Sequence, residues 1–221
     1  ADAVKAADTV RAERMRQVQD IFSGGPEGLG AGINDMMNAL ADVVSAPTDL
    51  TARTVFLTRA DETALRLNSA AERLDGIQYG LNEEMANGVQ QINTIAPQIA
   101  ALNEQIMNAK GSGQPPNDLL DQRDQLIRDL NQYIQTSQVN ATDGSISLFV
   151  ASSQPLVMGN IASTLKVQDK QAFGGGTDSK ALYLNRPGES APIELNEGML
   201  GGGKVAGLVR FQNGALTEAR N

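Results

Sequence analysis

Between Ala64 and Ile106 apolar residues recur at alternating steps of four and three. One track carries Leu67, Leu74, Leu81, Gly88, Ile95 and Leu102, and the other carries Ala64, Ala71, Gln78, Met85, Ile92, Ile99 and Ile106. These are the two seam positions of a heptad repeat, which predicts a long helix offering a narrow apolar stripe to partner helices. Burying one stripe does not offset the entropy of ordering so long a backbone. Gly76, Gly80, Gly88 and Pro97 weaken the helix further from within. The rest of the chain, or other chains, must therefore contact this rod on more than one side.

The residues that are missing narrow the chemistry. The 221-residue chain has no cysteine, which removes disulfides, thiolate metal sites and thiol catalysis, and no histidine, the commonest general base and metal ligand. Aromatic residues make up 4% of the chain, too few to line a pocket or a base-stacking platform. A net charge of −8 argues against nucleic acid or an anionic membrane surface as the main partner. No apolar run is long enough to span a bilayer. Helical patterns run into both ends, ADAVKAADTV and GALTEARN, so the chain reads as an excerpt from a longer protein.

Along the chain, Val4, Ala7, Met15, Val18 and Phe22 form a weak stripe broken by Arg11, and SGGPEG (23–28) ends it. Ile33, Met36, Met37, Leu40, Val43 and Val44 predict a short helix stopping before Pro47, and Asp49 or Thr48 caps the long helix that follows. That helix is expected to kink at Pro97. After the GSGQPP turn (111–116), Asn117 is expected to cap a helix whose Leu119, Leu120, Leu126, Ile127, Leu130 and Ile134 face inward, antiparallel to the rod. The period then changes: Asp143-Gly144 flanked by alternation, with Ile146, Leu148 and Val150 on one face, signals a hairpin. Further strands are expected near 155–158, 164–168, 180–185 and 191–195, and Val205, Leu208, Val209 and Phe211 restore helical spacing. The fold class expected is α+β: an elongated antiparallel helical bundle with a long kinked heptad helix, plus a small antiparallel β domain. The domains expected are a helical bundle over 1–134, a β-rich domain over 135–198, and a helix returning to the bundle over 199–221.

Two clusters imitate chemistry. Gly198 to Lys204, GMLGGGK, matches a phosphate-binding loop as far as its lysine, but Val205 stands where that loop needs a hydroxyl for Mg²⁺. A glycine-rich approach of helices accounts for the same residues. Asp118, Asp121 and Asp124 rise at three-residue intervals, a spacing open to a metal or an acid/base pair and equally to a solvated face near a helix N-terminus neutralised by Arg123, Arg128 and Lys110. Asn140-Ala-Thr142 is a glycosylation sequon, and 174–176 is a glycine loop. No catalytic, cofactor-binding or metal residue is assigned, and no cofactor. The stripe itself fits either an intramolecular core or a docking face.

The stretch NSAAERLDGIQYGLNEEMANGVQQINTIAPQIAALNEQI (68–106), followed by PPNDLLDQRDQLIRDLNQYI (115–134), resembles the flagellar hook-associated protein 1 family, and the likeness runs from about residue 28 to the LTEARN ending. It takes in APTDLTAR, the Asp-Gly hairpin and the glycine-rich region before the last helix. The resemblance implies a non-enzymatic, extracellular component of the bacterial flagellum, exported by the type III apparatus. It implies self-association in a ring between the hook protein and the next hook-associated protein, with an export chaperone binding the full-length protein. Both terminal segments of the family are then expected to be missing, and the fragment is expected to be monomeric. Another flagellar axial protein, such as flagellin, or a helical adaptor or adhesin are the alternatives. Exposed rod positions such as Glu83 and Glu84 are the expected contact residues.

Overall fold

A computed structural model describes residues 2–22, 24–25, 27–112, 116–170 and 179–220. The helices are α1 (Asp2–Ile21), α2 (Leu29–Ser45), α3 (Leu50–Gly111), α4 (Asn117–Tyr133), α5 (Lys204–Phe211) and α6 (Thr217–Arg220), and α5 is followed by a π-helical turn, Gln212–Leu216. The strands are β1 (Ser137–Asn140), β2 (Ile146–Val150), β3 (Gln154–Met158), β4 (Ile161–Ala162), β5 (Thr164–Asp169), β6 (Lys180–Asn185) and β7 (Ile193–Glu194). The fold is α+β, with a helical bundle and small antiparallel sheets. By contact the chain divides into two units, one of residues 1–13 and 80–214 and the other of 14–79 and 215–221.

In the first unit the heptad seam is the core. Leu81, Met85, Ile92, Ala96, Ile99 and Ile106 of α3 have no accessible surface. Each large side chain on such a seam contributes about 1.5–3 kcal/mol by leaving water. Gly88 of α3 lies beside Tyr133 and Val205, and Asn103 bonds Arg123, so α4 runs antiparallel to α3. Pro97 sits inside α3 without ending it, on the solvent side between buried Ala96 and Ile99. The carbonyl of Asn93, which Pro97 cannot serve, can be met there by water.

The sheets have orders β1-β2-β3-β4 and β5-β6-β7, with all pairings antiparallel. The Asp-Gly turn forms as its chemistry requires: Gly144 adopts φ +92°, and the Asp143 carboxylate accepts from the Ser145 backbone N–H (2.8 Å) and hydroxyl (2.7 Å). Those bonds from Ser145 hold the Asp143 pKa below its ordinary value. Ile146, Leu148 and Val150 point inward together, as the alternation predicts.

Three side-chain amides then fasten strands to helices. Asn93 of α3 donates to the Leu165 carbonyl (2.8 Å) and accepts from the Leu165 N–H (2.8 Å). Gln212 of the π-helical turn accepts from the Lys180 N–H and donates to its carbonyl, both at 2.9 Å. Asn103 donates to the carbonyls of Ile146 (2.9 Å) and Gly159 (2.7 Å) and accepts from the Ile146 N–H (3.2 Å). Each amide takes the place of a missing strand neighbour, satisfying ladder groups that burial would otherwise leave unpaired.

Several local expectations change. The N-cap of α4 is Pro116, without a side-chain bond, and Asn117 is already helical; Asp49 does cap α3, accepting from the Thr51 N–H at 2.8 Å. In α1 the buried residues are Ala3, Ala7, Val10, Val18 and Ile21, while Val4 and Phe22 are exposed. Ala7 and Val18 of the expected stripe are buried, but Val4 and Phe22 are not, and Ala3 joins the core because glycines at the start of α5 admit small residues there. The 174–176 glycine loop lies outside the described residues.

Candidate assembly surface

In the second unit α2 is held to α3 by small residues and polar clasps. The Thr63 hydroxyl is bonded to the carbonyls of Gly32 (3.1 Å) and Arg59 (2.7 Å), and the Arg66 guanidinium donates to the Gly28 carbonyl (2.8 Å). A Cβ on Gly32 would meet the Arg66 Cδ at 3.1 Å, and Ala39, seven residues on, is buried. With half-buried Met36 and Val43 these residues make a stripe at steps of four, three and four, turned to the unit's interior.

A second stripe stands one residue further round the same helix. Ile33, Met37, Leu40 and Val44 repeat the same steps and are all exposed, Val44 by 71%. No Lys or Arg occurs on α2, and its two carboxylates, Asp35 and Asp42, lie about 180° from this stripe at 100° per residue. The seam behaves likewise upstream. One heptad track, continued back from Ala71 through Ala64, meets Leu57 and Leu50, and all four are exposed, Leu50 by 75%. Phe56 and Thr63 stand about 100° round α3 from this track and Leu74 about 60°, on a side where Thr63 and Leu74 are buried. The heptad pattern is thus spent on the internal core from Leu74 onward and left uncovered before it.

The residues singled out for chemistry fall elsewhere. Gly201 to Gly203 are a packing node: the Gly203 N–H donates to the Ala3 carbonyl (2.7 Å), the Gln135 N–H donates to the Gly202 carbonyl (2.9 Å), and a Cβ on Gly203 would come within 2.4 Å of the Tyr133 carbonyl oxygen. Gly203 has φ +97°, a second reason for glycine. Gly207 repeats the approach one turn on, where a Cβ would stand 2.5 Å from the Ala7 carbonyl oxygen. The Lys204 ammonium lies 5.5 Å from the centre of the Tyr133 ring, over its electron-rich face. The glycines of this loop are spent on close approach between segments of the chain.

Asp118, Asp121 and Asp124 are exposed on α4. Arg123 interacts with the charge of Asp124 but makes no hydrogen bond to these carboxylates, because it is buried and donates to the Asn103 side-chain oxygen (3.1 Å) and the Gly144 carbonyl (2.8 Å). Burial pushes its pKa below the ordinary arginine value. Among the described residues no group of three or more His, Cys, Asp or Glu is placed to hold a metal ion, and no helix is long and apolar enough to cross a membrane. Glu83 is exposed, but Glu84 is half-buried and engaged, so the two are not equivalent surface positions. The exposed stripes on α2 and upstream α3 were legible as apolar periodicity, but nothing in periodicity marks which stripe stays uncovered.

These features define a helical scaffold protein: the amides of Asn93, Asn103 and Gln212 are committed to joining sheet to helix, and the uncovered apolar residues are aligned along helices as docking faces. The model of the flagellar hook-associated protein FlgK helical domain matches residues 15–221, and the chain belongs to that family. It is 30% identical over 215 residues to flagellar hook-associated protein 1 of Salmonella typhimurium, covering 96% of this chain and 38% of that protein, and 29% identical to the Escherichia coli protein of the same name. The structure of the flagellar hook junction protein FlgK from Burkholderia pseudomallei superposes with a TM-score of 0.80 at 26% identity, over 96% of this chain and 38% of that one. The chain thus spans about two-fifths of the length of the relatives it matches.

Proposed function

We propose that the chain is the helical domain of a structural, non-catalytic subunit at the junction between the bacterial flagellar hook and its filament. The observation that carries this reading is the pair of uncovered stripes, Ile33–Val44 on α2 and Leu50–Ala71 on α3, on a chain similar to proteins named flagellar hook-associated protein 1 and to a structure named as a flagellar hook junction protein. Copies associate in a ring through these faces, with the hook protein below and the next hook-associated protein above, outside the cell. Export through the type III apparatus, with a chaperone on the full-length protein, suits a chain without cysteine, since no crosslink can form before the unfolded chain passes.

The test uses the full-length protein in motile cells. Leu40→Asp and Leu57→Asp place carboxylates on solvent-exposed positions, so the thermal midpoint of the purified protein should stay within about 2 °C, as for surface changes generally. Filaments should detach, and Glu83→Lys should act more weakly, since it lies off both stripes. Full filament retention in both aspartate variants overturns the assignment of these faces.

A further inference from the structure

The four-stranded sheet carries a second uncharged face. Its register places Val139 of β1 opposite Ser147 of β2, Ser147 opposite Met158 of β3, and Met158 opposite Ile161 of β4. Cross-strand partners share a face, so these residues form one row across the whole sheet. Three of the four are large and apolar, and they are open to solvent: Val139 by 57%, Met158 by 53% and Ile161 by 55%. Phe149 and Pro155, paired with each other in the adjoining row, extend the same face. An antiparallel sheet with one face in the core ordinarily presents polar residues on the other. Here the inner face is fully used by Ile146, Leu148 and Val150, yet the outer one is apolar as well.

We infer that this outer face receives the exposed α2 stripe of a second copy of the chain. The inference rests on the assembly role proposed above and names the contact. The dimensions agree: the stripe from Ile33 to Val44 is about 16 Å long at 1.5 Å per residue, and the row across four strands is about 14 Å at roughly 4.8 Å per strand. Charge selects the same pairing. Each copy carries −8, so two copies repel wherever their carboxylates meet, and the stripe and the row are both free of charged side chains. The row is also held in place: the Asn103 amide donates to the Gly159 carbonyl in the turn joining Met158 to Ile161. Because the two patches differ, the contact is head-to-tail, the kind that propagates into a ring or a helix rather than stopping at a dimer.

Since the chain has no cysteine, introduced ones report cleanly. Full-length proteins carrying Leu40→Cys or Met158→Cys are produced together in motile cells, with any cysteine outside this chain replaced, and treated with a short bismaleimide. Mixed dimers should exceed dimers of either variant alone by at least tenfold. Adding Ile161→Asp to the Met158→Cys protein should remove them without moving its thermal midpoint. Absence of mixed dimers, dimers from one variant by itself, or crosslinks only to a different protein overturns the contact. Filament retention reads the assembly role separately: attached filaments without mixed dimers refute this contact and leave the role standing, whereas detached filaments with mixed dimers do the reverse.

Discussion

Replacing Asn103 by leucine should break the join between α3 and the first sheet at its most heavily bonded point. The side chain has no accessible surface and makes four hydrogen bonds, to the Ile146 N–H and carbonyl, the Gly159 carbonyl and the Arg123 guanidinium. Leucine matches the shape but serves none of these groups. A buried group stripped of its partner costs about 1–3 kcal/mol, and the Ile146 N–H and the Arg123 guanidinium have the least alternative, which sets an expected loss of about 3–5 kcal/mol. Arg123 keeps only its bond to the Gly144 carbonyl, and its Nε already lacks a partner. Removing that guanidinium as well should therefore be cheaper than the sum, with Asn103→Leu/Arg123→Met recovering about 1–2 kcal/mol of coupling. The assay is native-state hydrogen exchange of the Ile146 amide together with urea unfolding of the two single variants and the double. A loss below about 1 kcal/mol for Asn103→Leu, or strict additivity in the cycle, would refute the reasoning.

Two glycines of α3 and the α5 node should respond in opposite directions: Gly76→Ala, with nothing within 4 Å of the new methyl, should gain about 0.5–1 kcal/mol, whereas Gly203→Ala meets the Tyr133 carbonyl at φ +97° and should lose more than about 2 kcal/mol in a thermal melt. Asp143 has a lowered folded-state pKa, so its contribution is fully present above the unfolded carboxylate value of about 3.9 and is lost as pH falls through the folded one. Asp143→Asn should flatten the stability profile in that acid window and leave its slope above pH 5 unchanged, as followed by circular dichroism.

The residues explain which expectations survived. The strand positions and the Asp-Gly turn were readable because alternation and turn chemistry are local, and the seam from Leu74 to Ile106 was readable because its side chains are large. Ala7 was in the expected α1 stripe, but Ala3 was passed over, since a small residue looks unimportant until Gly202 and Gly203 are seen against it. Arg123 read as one more surface charge among aspartates, yet its helical phase turns it onto Asn103. Asn93, Asn103 and Gln212 carry no pattern at all, because an amide in a helix is ordinary until a strand end lies beside it.

Sequence alone determined the periods: seven-residue spacing for the rod, two-residue spacing for the strands, and a composition with no cysteine or histidine to carry reactive chemistry. Tertiary structure decided how each apolar stripe is used. Gly32 and Ala39 dock α2 while Ile33, Met37, Leu40 and Val44 stay in water, although both sets share one spacing. Periodicity fixes which residues share a face; whether that face is covered depends on chain brought from far away in sequence.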